Sequence, residues 1–266
     1  MENILEKILY EKKRRLMGEK QLNLQEKLEI ISNKKRITNT FARIMKKNRE
    51  PLIIAEIKYA SPSRGKILGE RDPVLLLDSY SQGGASAISV VTEEQYFNGN
   101  VHLLSQVVGN TSLPVLRKDF VLEDIQIYES ACFGASALLL IARIISKKRL
   151  KNFILLCELL NIVPLVEVHE ENDLEKALNA GAKYIGINNR DLTTFQVSIE
   201  NTLRLLKYVP NEVTVVSESG IKNRRDIEYL MAHGVEHFLI GESLLLDPNP
   251  ARKIKELRGE VEVGMY

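Results

Sequence analysis

The chain has 266 residues, 44% of them hydrophobic and 27% charged, the balance of a soluble globular protein with enough length to bury a large core. Its formal net charge is only +2 and no apolar run approaches the roughly 20 residues of a membrane span. The N-terminus, MENILEKILYEKKRR, is charged throughout and lacks the apolar centre of a signal peptide, so a cytoplasmic protein with no membrane partner is expected.

In chain order, residues 1–50 come first, with 14 Lys+Arg against 7 Asp+Glu. Few aromatics and interspersed acids argue against a nucleic-acid partner. A solvated helical face is the expected role, with steering of an anionic substrate as the alternative. Three apolar stripes (Ile4, Leu5, Ile8 and Leu9; Leu24, Leu28 and Ile31; Phe41, Ile44 and Met45) predict two or three helices packed on the rest of the chain.

From Pro51 a rhythm begins. Short apolar segments recur: PLIIAEIK (51–58), AISVVTE (87–93), PVLRKDF (114–120), ALLLIAR (137–143), VPLVEVH (163–169), YIGINNR (184–190), TVVSESG (214–220) and HFLIGES (237–243). Each has the length of a buried strand. Helix-like segments such as DPVLLLDSYSQGG, EDIQIYESACFGA, ENDLEKALNAGA and IKNRRDIEYLMAHGV lie between them and end at glycines suited to a helix C-cap. Eight strands apolar on both faces, alternating with helices, predict an α/β fold with a parallel sheet. Even spacing, and the absence of a GxGxxG after the first strand, favour a (β/α)8 TIM barrel over a doubly wound sheet. The expectation is a single domain over 1–266, with 1–50 as an N-terminal helical extension and no second barrel after it. Cys132 and Cys157 fall in helical segments, form no CxxC pair and are expected as buried free thiols. His233 and His237 are four apart, but a glycine follows the first and the second opens a strand, so no metal is expected.

A barrel of this type works at the C-terminal ends of its strands. Those ends carry Glu56 and Lys58, Arg117, Lys118 and Asp119, Arg143, Glu167 and His169, Asn188 and Arg190, and Glu218. Glu56 and Lys58 are two apart and share one face of their strand. Lys58, Lys118 and Glu167 sit in otherwise apolar strands, where an unpaired charge is costly. A mutually neutralising cluster around a substrate accounts for all three. After strands seven and eight come Ser-Glu-Ser-Gly-Ile and Gly-Glu-Ser-Leu. Small residues there, with a helix starting near Ser243, suit an anion such as phosphate.

The runs AEIKYASPSRG, TEEQYFNG, LPVLRKDFV, LVEVH, GINNRDL, SESGI and IGESLL together resemble the indole-3-glycerol-phosphate synthase family, in order and spacing, from about Pro51 to Leu246. That resemblance implies a small-molecule sugar-phosphate substrate, 1-(2-carboxyphenylamino)-1-deoxyribulose 5-phosphate. It is cyclised, decarboxylated and dehydrated to indole-3-glycerol phosphate in tryptophan biosynthesis, with no cofactor and a monomeric enzyme expected. It further implies Lys118 as first general acid, Glu167 as acid or base in dehydration, and Glu56 and Lys58 beside the reacting centre. Which lysine serves which step stays open, and the two lysines are expected to depress each other's pKa. Asn188 would hydrogen-bond near the ring-closure site. Arg190 and Ser61 would hold the anthranilate carboxylate, while Phe97, Phe120 and Leu139 form an aromatic slot. Glu218, Ser219, Gly220, Gly241 and Glu242 would bind substrate around the phosphate, Glu242 through its backbone N–H with its carboxylate pointing away. A related barrel, phosphoribosylanthranilate isomerase, would need a Cys/Asp pair at strand ends, which neither cysteine provides.

Overall fold

The computed structural model describes residues 4–18, 22–34, 40–46, 50–68, 72–191 and 196–260. Eight parallel strands close a barrel in sequence order: β1 (Leu52–Ile57), β2 (Ala87–Val91), β3 (Val115–Lys118), β4 (Ala137–Ile141), β5 (Val163–Val168), β6 (Tyr184–Asn188), β7 (Thr214–Glu218) and β8 (His237–Ile240). The ring is sealed by β1 against β8, with Leu52 opposite His237 and Ala55 opposite Ile240. All eight strands fall inside the predicted segments. The segments overrun at their C-terminal ends, where polar residues leave the ladder and enter the loops.

Alternation divides each strand between two apolar clusters. Leu52, Ile54, Leu116, Leu139, Leu165, Val216 and Leu239 meet in the lumen. Their neighbours, such as Ile53, Ile57, Val166 and Phe238, face the surrounding helices. Those helices include α4 (Pro73–Gln82), α5 (Val101–Gly109), α6 (Asp124–Cys132), α7 (Lys147–Leu159), α8 (Glu171–Asn179), α9 (Glu200–Leu206) and α10 (Arg224–Met231). They are capped as their sequences demand: Asp72, Asn100, Ser146 and Asn223 each accept from a first-turn backbone N–H. Gly134 and Gly181 turn the chain back to the barrel at φ 84° and 90°, a left-handed geometry that side chains resist. Cys157 is buried on α7, and burial pushes its thiol far up, but Cys132 on α6 is exposed, contrary to expectation, because its position on α6 turns away from the barrel.

Ahead of the barrel lie α1 (Ile4–Leu16), α2 (Leu24–Lys34) and α3 (Thr40–Ile44). Phe41 and Met45 join the lumen cluster and plug the N-terminal end of the barrel. In α2, Lys27 reaches Asp124 of α6 at 3.0 Å, while Leu28 is exposed, and the side chains of Leu24 and Ile31 lie outside the described residues. The buried face of α1 is Leu5, Ile8, Lys12 and Leu16, spaced for one helical stripe. Lys12 departs from the solvated face expected of the basic arm. It is 4% exposed, with Nζ 2.6 Å from Asp119 Oδ1 just beyond β3. Asp119 also accepts from Thr92 Oγ1 at 2.9 Å and pairs with Arg117 at 2.9 Å. Burial alone would raise the Asp119 pKa, but Lys12 and Arg117 outweigh it and bring it down to about 2. Lys12→Met leaves a buried carboxylate short of one partner and should cost about 3 kcal/mol in chemical denaturation. Because the folded pKa is depressed, this stabilisation is complete above the unfolded aspartate value of about 4 and disappears as pH falls through about 2. The Lys12→Met deficit should therefore shrink toward zero across that window.

Candidate active site

Continuing the lumen face of each strand by steps of two leads from the apolar core to a charged layer. From Leu52 and Ile54 the next inward residue is Glu56; from Leu116 it is Lys118; from Leu165, Glu167; from Val216, Glu218. Asn188 ends β6 in the same layer. Lys58, one step beyond Glu56, donates to its Oε1 at 2.5 Å. Lys118 Nζ lies 3.2 Å from Glu167 Oε2 and 3.8 Å from Glu218 Oε2. Two ammoniums and three carboxylates thus share one buried layer.

Two glycines make room for this layer. A Cβ on Gly241 would collide with Glu56 Oε1, and one on Gly186 would collide with Glu218 Oε1. Neighbouring strands therefore give up a side chain where the carboxylates cross the lumen.

The electrostatics differ from the expected mutual depression of two lysines. Burial would lower the Lys118 pKa, but Glu167, Glu218 and Glu56 outweigh burial and hold it above the ordinary lysine value. Carboxylates, not Lys58, are its dominant neighbours. Burial likewise opposes ionisation of Glu56 and Glu167. Lys58 and Lys118 nevertheless bring Glu56 below its usual range, and Lys118, His169 and the Asn188 amide do the same for Glu167. Glu218 goes the other way. Burial raises it, Lys118 opposes this only in part, and the two other carboxylates push it further up, to about 8. Neither Glu218 oxygen has a hydrogen-bond partner among the described residues. A neutral Glu218 leaves two ammoniums facing two carboxylates, which balances the layer.

Above this layer opens a cavity of about 750 Å³. It is lined by Glu56, Lys58, Ser61, Phe97, Lys118, Phe120, Leu139, Glu167, Asn188, Arg190, Ser219, Gly220, Gly241 and Glu242, so the sequence-identified site residues converge on one space. Glu218 is the exception. It is 1% exposed and lies beneath the lining, because the period of two from Val216 sends it into the lumen, not the loop. Phe97 and Phe120 stand with ring centroids 6.4 Å apart on one wall. Glu93 shapes the loop that presents Phe97 by accepting from the backbone N–H groups of Gln95, Tyr96 and Phe97. Ser219 and Gly220 both take left-handed backbone, at φ 66° and 86°.

Several placements depart from the sequence reading. The Glu242 carboxylate does not turn away from the cavity. It pairs with Arg64 at 2.8 Å and Arg190 at 3.4 Å, since two guanidiniums at the rim need an anion. Arg117 points outward and is 1% exposed, reaching Glu129 at 2.6 Å and the Ser130 hydroxyl at 3.1 Å. Arg143 leaves β4 in a 3-10 turn and pairs with Asp173 and Glu170. Ile4, Leu5 and Ile8 of α1 also line the cavity, as do Arg64 and Lys222. An apolar stripe predicted the packing of α1, but nothing in it identifies the surface it covers.

No helix among the described residues is long and apolar enough to cross a membrane. Nor do the described residues contain a group of three or more His, Cys, Asp or Glu arranged to hold a metal ion.

Known proteins bear on the fold and the family of the chain. A solved thiamine phosphate pyrophosphorylase from Pyrococcus furiosus superposes with a TM-score of 0.59 at 14% identity, covering 80% of this chain and 95% of that one, a likeness of fold alone. Among curated relatives, the indole-3-glycerol phosphate synthase of Desulfosudis oleivorans is 51% identical over 205 residues, 77% of this chain and 78% of its own. That of Alkaliphilus metalliredigens is 40% identical over 257 residues, 96% of this chain and 98% of its own. The family model for indole-3-glycerol phosphate synthase matches residues 5–257, and the chain belongs to that family.

Proposed function

We propose that the chain converts 1-(2-carboxyphenylamino)-1-deoxyribulose 5-phosphate to indole-3-glycerol phosphate, with the lumen layer as its proton machinery. The observation that carries this reading is Lys118, an ammonium with three carboxylates around it and one face open to the cavity. In ring closure the aryl carbon bearing the carboxylate bonds to the ribulose C2 carbonyl carbon. The carbonyl oxygen takes a proton from Lys118 Nζ and becomes a hydroxyl. The bond from that aryl carbon to the carboxylate then breaks, CO2 leaves, and its electron pair restores the aromatic ring. Dehydration comes next: Glu167 removes a proton from C1 while an ammonium of the layer protonates the departing hydroxyl, which leaves as water. Glu167 fits the basic role because its pKa is depressed, so it is ionised at neutral pH.

Binding matches the lining. Phe97, Phe120 and Leu139 offer an apolar slot for the aryl ring. Arg190 and Ser61 take its carboxylate, with Arg190 leaving Glu242 to do so. Asn188 sits between Glu167 and the Arg190 backbone, to which its Oδ1 is bonded at 3.0 Å. Ser219, Gly220, Gly241 and the Glu242 backbone receive the phosphate, and Lys58 lies between the two ends. Adding the substrate to purified protein should produce indole fluorescence with one CO2 released per product. No fluorescence at micromolar protein would sink the reading.

A further inference from the structure

His169 comes directly after β5 and lies on the same strand face as Glu167. Its side chain is 5% exposed, and neither ring nitrogen has a hydrogen-bond partner among the described residues. A buried polar ring left in this way costs of order 1–3 kcal/mol. Its mounting is nevertheless firm. The His169 backbone N–H donates to Asp173 Oδ2 at 3.2 Å, and its carbonyl accepts from Asn201 Nδ2 at 3.2 Å and from Arg204 at 3.4 Å. Asp173 is in turn paired with Arg143. Several contacts thus fix the backbone from which the imidazole projects, and its Nε2 lies 3.4 Å from Glu167 Oε1. That oxygen is the one Lys118 does not take, since Lys118 bonds Oε2.

The geometry points to His169 as a positioning residue for Glu167: its Nε2–H closes on Oε1 when Lys118 turns from Glu167 to the substrate, and keeps the carboxylate aimed at the reacting carbon. This rests on the reading that Glu167 is the proton acceptor. In the resting state Glu167 is held by Lys118, and the imidazole is 3.4 Å away, longer than a good hydrogen bond. Once Lys118 donates to the carbonyl oxygen, Glu167 loses its nearest cation while still buried. A second donor only 3.4 Å away then needs a small approach to bond Oε1, and so limits both rotation of the carboxyl and its uptake of a proton. Burial and the cations Arg143 and Lys118 hold the imidazole pKa below its ordinary value, against the pull of Glu167 and Asp173, so the ring is uncharged at neutral pH and carries charge only in the acid range where Glu167 itself titrates. At neutral pH it therefore presents one N–H and adds no positive charge to the layer.

The test compares His169→Leu with His169→Gln, whose amide nitrogen can occupy the place of Nε2. Every group facing Glu167 is unchanged in both: Lys118 from β3, Glu56 from β1, Asn188 from β6 and Glu218 from β7. His169→Leu should lower kcat about tenfold with KM within twofold, and should move the acid limb of the kcat profile upward by about one pH unit. His169→Gln should recover both. A Leu variant with wild-type kcat and acid limb, or a Gln variant as impaired as Leu, overturns the proposal. A second readout needs no turnover: titration of Glu167 by carboxyl carbon NMR in a Lys118→Met background, where no lysine holds the carboxylate, and where the midpoint should rise on adding His169→Leu and return with His169→Gln. If this midpoint moves while wild-type protein makes no indole product, the substrate reading falls and the positioning role stands. If product forms and the midpoint stays fixed, the positioning role falls alone.

Discussion

Lys118→Met should lower kcat/KM by about a thousandfold or more, with no ring-closed material formed. The loss corresponds to about 4 kcal/mol of transition-state stabilisation. Two effects combine in it. The variant has no proton to give the carbonyl oxygen, and the developing charge there meets carboxylates instead of an ammonium. The fold should survive, because the layer can rebalance. Without Lys118, burial favours the neutral form of Glu167, which can then share a proton with the already raised Glu218. Unchanged far-ultraviolet circular dichroism beside absent indole fluorescence would separate loss of chemistry from loss of structure. Wild-type turnover would remove Lys118 from the reaction.

Glu167→Gln should act later and cost about a hundredfold in kcat. The amide oxygen can still accept from Lys118, so ring closure and CO2 release continue. The amide cannot take the C1 proton, so dehydration stalls. The pH profile offers an independent check. Glu167 has a depressed pKa, so as a base it is active above that value and fails as pH falls through it. The wild-type acid limb should therefore lie below the ordinary glutamate range, and Glu167→Gln should lack it. A retained acid limb would assign the base to another group.

Much of this site can be read in the sequence, and the reason is periodicity. Apolar segments of strand length, repeated eight times with glycine-terminated helices between, leave few ways to bury both strand faces. Once the barrel is accepted, steps of two from Ile54, Leu116 and Leu165 reach Glu56, Lys118 and Glu167. The same rule sends Arg117 outward and Glu218 inward, but only after the strand end is known. At β7 the polar run Ser-Glu-Ser-Gly reads equally well as loop, which is why the sequence assigns Glu218 to the substrate. Lys12 is harder still. It lies in a run of charges, and its burial depends on where α1 docks, which local sequence does not encode. The Glu242 pair with Arg64 and Arg190, and the approach of His169 to Glu167, depend on rotamers and on residues far apart in the chain. Long-range pairing of this kind leaves no periodic trace.

The proposed chemistry turns on a division of labour between Lys118 and Glu167. Rapid-quench mass spectrometry of both variants with the same carboxyphenylamino sugar phosphate tests it directly. Glu167→Gln should accumulate a species lighter than substrate by one CO2 and heavier than product by one water. Lys118→Met should leave the substrate untouched. Finding that species in Lys118→Met, or only substrate and product in Glu167→Gln, would contradict it.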